Sequence, residues 1–243
     1  MIFRNFGIGI PGGYRRGRPM GEPNPAGSGH VAVWVAVGAA PEGEPLDLDQ
    51  RARRYRRARA TARRVGRQLV TAYTSCPPDR QAWERDDRGR PLLVDPGGLH
   101  VSLSHAEAVV AAALSWDAPV GVDVERLRPL ADRGALARTA LSETERQAVD
   151  ALPEPLRDAQ LLRFWTRKEA VAKALGTGLA TNLRGIVTTA HGAVVSLPDE
   201  CGDVSEWSLT DVPVRDDVIA CVTVRAPGVR VLPRTLALPA DEG

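Results

Sequence analysis

The chain has 243 residues, 43% of them hydrophobic and 26% charged, and a formal net charge of +2. That length and composition suit a soluble protein of one large or two small domains with a sizeable core, and so small a charge demands no polyanionic partner. No apolar run is long enough to cross a membrane, no secretory h-region opens the chain, and the three scattered cysteines lack zinc or disulfide spacing, so a reducing cytosol is the expected compartment.

Residues 1–29 are rich in Gly, Pro and Arg and read as a flexible leader, with Met20 a candidate alternative start. Gly7, Gly9 and Gly12 formally spell G-x-G-x-x-G, but Pro11 followed by Gly-Gly-Tyr provides neither the strand before that motif nor the helix opening within it. The fold is expected to begin at the β-rich run H-V-A-V-W-V-A-V from His30. An arginine-dense segment from Leu48 to Tyr73 then predicts one or two helices, with Asp47 or Asp49 near the N-cap. A Pro, Gly and Asp-rich loop from Cys76 to Pro91 leads to two short strands, L-H-V-S-L-S and V-V-A-A-A-L-S. After a joint at Asp117-Ala118-Pro119, P-V-G-V-D-V-E starts a third strand.

The second half turns helical. Ser142-Glu143-Thr144-Glu145 is a capping-box signature. Pro155 opens a longer helix that runs to about Leu175 and closes at Gly176. Strand-like runs return at G-I-V-T-T, A-V-V-S-L, W-S-L-T-D-V and V-I-A-C-V-T-V, and the Pro-rich segment after Ala226 reads as a peripheral tail. Strand–helix–strand content in both halves suggests an α+β protein of two similar lobes.

Two local patterns carry chemistry. In P-V-G-V-D-V-E, strand alternation puts Asp123 and Glu125 on the face opposite Val120, Val122 and Val124. That face is either a wet acidic surface or a site in which a hard dication relieves the repulsion between carboxylates; oxygen ligands favour magnesium over zinc. In W-T-R-K-E-A-V-A-K, residues 165–173, stand the only two lysines of the chain, Lys168 and Lys173; every other cation outside histidine is arginine. An exposed Glu169–Lys173 pair would be worth about 0.2–0.5 kcal/mol and would be served equally well by arginine. Lysine differs in its slim stem and its ability to give up a proton, so its retention beside Glu169 points to a site with tight steric or proton-transfer demands, which a cation on phosphate oxygens fits. His105, at a strand end beside Ser104, is either a structural or exposed histidine or a donor to a phosphate, and Arg90, on a turn, reads by itself as a surface cation. The Arg-rich segment is a solvated face, a nucleic-acid surface, or a partner and phosphate surface.

Three ordered blocks, R-G-R-P-L-L with V-S-L-S-H-A-E, then G-V-D-V-E-R-L-R-P, then F-W-T-R-K-E-A-V-A-K-A-L-G-T-G-L, resemble the 4′-phosphopantetheinyl transferase family. The likeness is to its two-lobed type, which activates the carrier proteins of peptide and polyketide synthases, and it covers about residues 30–226. It implies an α+β fold of two lobes related by a pseudo-twofold axis, 30–118 and 119–226, each a small antiparallel sheet packed on helices, with the site in the cleft and a tail at 227–243. The implied activity moves phosphopantetheine from coenzyme A to a serine of an apo acyl or peptidyl carrier protein, releasing 3′,5′-adenosine bisphosphate. Magnesium, or manganese, would be held by Asp123, Glu125 and Glu169. Glu169 is the implied base, Lys173 would stabilise the departing phosphate, and Lys168 would help place the pyrophosphate. Ser104 and His105 match positions that contact coenzyme A phosphates, Arg90 a position near the 3′-phosphate, and Arg63, Arg64 and Arg67 are candidates for the adenosine phosphates. A cytoplasmic monomer with neither nucleic-acid nor membrane partners is expected; the rival reading is a nucleic-acid-binding protein that uses the Arg-rich helix 51–67.

Overall fold

A computed structural model of the chain describes residues 14–15, 18–19, 30–38, 47–94, 98–116, 118–177 and 181–237. The glycine motif at residues 7–12, Met20 and residues 238–243 lie outside the described residues. Of the leader, Tyr14–Arg15 (β1) pairs antiparallel with Arg18–Pro19 (β2).

From His30 onward the elements are β3 (His30–Val37), α1 (Leu48–Thr74), β4 (Trp83–Arg85), β5 (Pro91–Leu93), β6 (Leu99–Ala106), β7 (Val109–Trp116) and β8 (Val120–Arg126). Then follow α2 (Arg133–Ala140), α3 (Glu143–Asp150), α4 (Glu154–Leu175), β9 (Val187–Thr188), β10 (Val194–Ser196), β11 (Ser208–Asp211), β12 (Val218–Val224) and β13 (Arg230–Ala237). One sheet has the order β13-β3-β7-β6 and another β11-β12-β8, while β4–β5 and β9–β10 form small ribbons.

Local signals account for most helix ends. Asp47 is the N-cap of α1, accepting from the Gln50 amide while the Gln50 side chain accepts from the Asp47 amide. Ser142 and Glu145 make the corresponding reciprocal box at α3. Pro155 sits in the first turn of α4, and Gly176, at φ 72°, ends that helix in the left-handed conformation glycine tolerates best.

Strand alternation builds four layers. The odd-numbered residues Val31, Val33, Val35 and Val37 of β3 and Val109, Ala111 and Ala113 of β7 pack against Val120, Val122, Val124, Val218, Ala220, Val222 and Val224. The two sheets thus share one apolar layer. On the opposite face of the first sheet, Ala32, Trp34, Ala36, Val110, Ala112 and Leu114 pack on Ala62, Val65, Leu69 and Val70 of α1. Helix α4 lies along the outer face of β8 and β12, and packs its other side on α2, α3 and the Leu183–Ile186 segment. A one-residue slip of β8 would drive Asp123 and Glu125 into the valine layer, so burial fixes the register that presents them to α4.

Between the sheets, β6 and β8 run side by side without a ladder. Serines on β6 stitch the seam, Ser102 Oγ accepting from the Val122 amide and Ser104 Oγ donating to Asp123.

Three elements differ from the sequence expectations. The loop 76–91 contains a short ribbon, β4 with β5. Helix α2 was not expected. The segment read as a peripheral tail supplies β13, which pairs parallel with β3 and makes that sheet mixed rather than purely antiparallel. Pro233 lies within β13, and an edge strand accommodates the missing amide hydrogen.

Candidate active site

The acidic face of β8 meets α4 at close quarters because residue 121 is glycine. A Cβ there would penetrate the Ala170 carbonyl oxygen and lie 2.6 Å from the Ala174 nitrogen. This approach brings Asp123 and Glu125 up to Glu169 and Lys173 on the facing side of the helix.

Asp123 is 5% exposed. Lys173 Nζ donates to its Oδ1 at 2.6 Å and to Ser104 Oγ at 2.8 Å, and Ser104 Oγ itself donates to the same Oδ1 at 2.7 Å. Asp123 Oδ2 is buried with no hydrogen-bond partner, and so is Glu169 Oε1. Burial first, then the Asp123 charge, raises the Glu169 carboxyl above its ordinary range against the opposing pull of Lys173. Burial and Asp123 push Glu125 up to about 7, opposed by Arg128, a hydrogen bond from Trp165 and Lys173. The Arg128 guanidinium stands 3.7 Å from Glu125. The Glu169–Lys173 surface pair considered from sequence does not form; the ammonium bonds Asp123 across the seam instead.

Three crowded carboxylates opposed by one lysine and a rim arginine leave an excess of negative charge, and two buried oxygens lack a donor. Only hard oxygen ligands are present. Such a set fits a hard divalent cation, since a buried anionic oxygen left unpaired is costly. Among the described residues, no three His, Cys, Asp or Glu side chains are already gathered into a metal-holding group, and the Lys173 ammonium takes one Asp123 oxygen.

His105 lies beyond Ser104 on β6. The Tyr55 ring meets it edge-on at 4.8 Å. Burial, then the Lys173 and Arg59 charges, hold its imidazole below its usual range, with Asp123 pulling the other way. Tyr55, Arg59, Arg63 and Arg67 recur every four residues and so form one stripe along α1. The stripe leads from His105 to a groove of about 180 Å³ lined by Arg63, Arg67, Trp83, Glu84, Arg85, Pro91 and Leu103. Arg67 is partly committed to structure, donating to the Pro78 and Gln81 carbonyls at 2.7 and 3.1 Å with its guanidinium 5.5 Å from the Trp83 ring centre. From the groove wall at Pro91 the chain reaches Arg90, whose guanidinium lies against Gly176 at the end of α4, and Arg88, which donates to the Gly176 carbonyl at 2.9 Å. Arg90 is also paired with Asp86 at 3.0 Å. Arg63 and Arg67 line the groove while Arg64 does not, a separation the sequence left open.

Two expected site residues take other roles. Lys168 is fully buried, and its Nζ donates to the Ala140 carbonyl (2.8 Å), Glu145 Oε2 (2.5 Å) and the Leu183 carbonyl (3.0 Å). It ties α4 to α2, α3 and the following turn, so its ammonium lies away from Asp123 and does not take the pyrophosphate-placing position expected from the resemblance. Leu161, Phe164, Trp165, Ala172 and Leu175 surround it at helical spacing, an apolar stripe in the sequence that signals this burial. The Ser104 hydroxyl, in turn, is committed to Asp123 and Lys173 rather than free for a phosphate. The sequence reading missed Tyr55, Arg59, Trp83 and Arg85. The four-residue recurrence from Tyr55 to Arg67 could have revealed the first two, whereas Trp83 and Arg85 belong to a ribbon hidden in a loop-like composition.

The family described as the 4′-phosphopantetheinyl transferase superfamily matches residues 119–222, which contain the acidic strand and α4. The chain is 27% identical over 213 residues to the 4′-phosphopantetheinyl transferase HetI of Nostoc sp., covering 81% of this chain and 88% of that protein. It is 28% identical over 136 residues to the 4′-phosphopantetheinyl transferase psf-1 of Bacillus pumilus, with 55% and 57% covered. It is 31% identical over 130 residues to the 4′-phosphopantetheinyl transferase AcpT of Salmonella typhimurium, with 54% and 66% covered. The acidic strand seated on the lysine-bearing helix thus lies inside the segment that matches the 4′-phosphopantetheinyl transferase superfamily, and the chain is similar to members of that superfamily.

Proposed function

We propose that the protein transfers the 4′-phosphopantetheine group of coenzyme A to a serine of apo acyl or peptidyl carrier proteins, such as those of polyketide or nonribosomal peptide synthesis, in a magnesium-dependent reaction that manganese also supports. The observation that carries this reading is the pair of donor-less oxygens, Asp123 Oδ2 and Glu169 Oε1, beside the Lys173 ammonium. Asp123, Glu125 and Glu169 would hold the dication, whose chemistry is to offset charge on the coenzyme A pyrophosphate as its anhydride bond breaks.

The chain's own groups supply the rest. Glu169, its proton affinity raised by burial, accepts the serine hydroxyl proton directly or through water. The serine oxygen bonds to the phosphorus that bears pantetheine, and the bond from that phosphorus to the bridging oxygen breaks. The departing 3′,5′-adenosine bisphosphate takes the electron pair, and Lys173 offsets the new charge. Arg63, Arg67 and Arg85 beside Trp83 form a cationic, aromatic groove suited to an adenosine bisphosphate, with Arg59 and His105 between groove and carboxylates. Arg90 flanks this path at the end of α4.

The layering of helix, sheet, sheet and helix supports two related lobes, 30–118 and 119–226, with the cleft at the β6–β8 seam. Among the described residues no helix is long and apolar enough to cross a membrane. A cytoplasmic monomer is part of the reading, and a stable trimer in gel filtration would contradict it. The arginines of α1 are read as facing coenzyme A and an acidic carrier rather than nucleic acid.

Incubation with apo carrier proteins, coenzyme A and magnesium, followed by intact-mass measurement of the carrier, tests the proposal. The expected result is a phosphopantetheine mass gain that requires a divalent metal and disappears in Glu169→Gln. No gain on any carrier, with binding of RNA or DNA that falls steeply with salt and ignores Asp123→Ala, would favour the nucleic-acid reading.

A further inference from the structure

Both donors that reach Asp123 fall on one oxygen. Lys173 and Ser104 bond Oδ1 at 2.6 and 2.7 Å and each other at 2.8 Å, a closed triangle, while Oδ2 is left bare. Lys173 alone would satisfy the charge, so the buried hydroxyl at 104 needs its own explanation. Ser104 comes from the neighbouring sheet, on the strand whose Ser102 holds the Val122 amide. Its position is therefore fixed by backbone on both sides of the seam. A small residue there also lets β6 and β8 approach. A hydroxyl both accepts and donates, so Ser104 can accept a hydrogen bond from Lys173 and still donate one to Asp123.

We infer that Ser104 is a positioning residue for Asp123: its hydroxyl and the Lys173 ammonium saturate Oδ1, fix the carboxylate's rotation, and reserve Oδ2 for a divalent cation. The inference rests on the metal-dependent reading above and adds a residue that acts through the ligand rather than on the substrate. Hydrogen-bond partners behind a ligating group shift metal affinity by about 10–100-fold. Ser104 is thereby given a role different from the phosphate contact the family resemblance implied.

The test is a titration of the full-length protein with Mn²⁺, with and without coenzyme A, following free Mn²⁺ by electron paramagnetic resonance. Ser104→Ala should weaken Mn²⁺ binding on the order of 10-fold or more while its thermal midpoint stays near that of the parent. Ser104→Thr, which returns the hydroxyl, should recover most of the loss. Should the alanine variant fold poorly, Ser104→Cys keeps the volume, offers only a weak donor, and should show the same loss. Unchanged Mn²⁺ affinity in the Ala or Cys variant, or no recovery with Thr, overturns the inference. The Asp123→Asn protein separates the two ideas. If it loses Mn²⁺ while Ser104→Ala binds like the parent, the metal site stands and the role of Ser104 falls. If it binds like the parent, or the parent takes up no Mn²⁺ in either condition, both fall.

Discussion

Gly121 on β8 touches the α4 backbone at Ala170 so closely that no side chain fits between them. Backbone cannot swing aside as a side-chain tip can, so Gly121→Ala must push the helix and strand apart. The expected cost is about 3 kcal/mol, measured by chemical denaturation. Separating Glu169 from Asp123 should also remove nearly all transfer activity from whatever folds. By contrast, the Cβ of Gly66→Ala would meet only the Leu103 Cδ2 at 2.6 Å, a movable side chain, and should cost less.

Lys168→Met should destabilise by about 3–5 kcal/mol, because it leaves the Glu145 charge buried and uncompensated. Adding Glu145→Gln removes that charge while keeping an acceptor for the Thr188 amide, and should recover much of the loss. Denaturation of the single and double variants checks this. A Lys168→Met protein of normal stability but weak coenzyme A binding would return Lys168 to the pyrophosphate.

The Glu125 contribution to the stability of the metal-free protein should fall as pH rises between about 4.5 and 7; Glu169, raised likewise, acts in the same direction and His105, lowered, in the opposite one. Glu125 has a folded pKa of about 7 against an ordinary 4.5, so the folded state holds more protons in that window and raising the pH favours unfolding. The difference corresponds to about 3 kcal/mol at most, fully expressed above pH 7. A dication on Glu125 reverses this by favouring the ionised form. Magnesium should therefore raise the thermal midpoint more at pH 8 than at pH 6, read by calorimetry at both.

Ser75 and Glu107 are non-glycine residues held at φ 58° and 50°. Ser75 caps α1 and Glu107 turns β6 into β7, and both are exposed. Left-handed backbone costs an L-residue roughly 1–2 kcal/mol, partly offset in any glycine variant by the freer unfolded chain. Ser75→Gly and Glu107→Gly should each gain about 0.5–1 kcal/mol, seen as higher denaturation midpoints.

Arg63→Ala should raise the KM for coenzyme A with little change in kcat or stability, since the residue lines the groove and lies outside the carboxylate cluster. Arg67→Ala should raise KM and also lower stability by roughly 1–3 kcal/mol, because it would strand the Pro78 and Gln81 carbonyls. Steady-state kinetics paired with thermal melts separate the two.

Local rules made much of the fold legible. The Ser142–Glu145 box, Pro155 and Gly176 mark helix ends through bonds made within a few residues, and alternation in Val120–Glu125 assigned its faces without a partner in view. The acidic strand and the helix carrying Glu169 and Lys173 were readable as a candidate site because each is a contiguous pattern. Where the signal was not local, the reading failed. Pro233 suggested a tail, yet an edge strand needs no donor there, and only the neighbouring β3 makes it a strand. Residues 83–85 and 91–93 are too short to show a period.

Sequence alone determined which residue types could carry the chemistry: acids on one face of β8, and Glu169 and Lys173 four apart on a helix. Tertiary structure decided which of the two lysines reaches the β8 carboxylates, because residues five apart on α4 face different neighbours. Lys168 points into the helical layer and meets Glu145 at 2.5 Å, and Lys173 reaches across the seam to Asp123 at 2.6 Å. It also decided that Ser104 bonds a carboxylate, since the approach of β6 to β8 is set by packing between two sheets that no local pattern encodes.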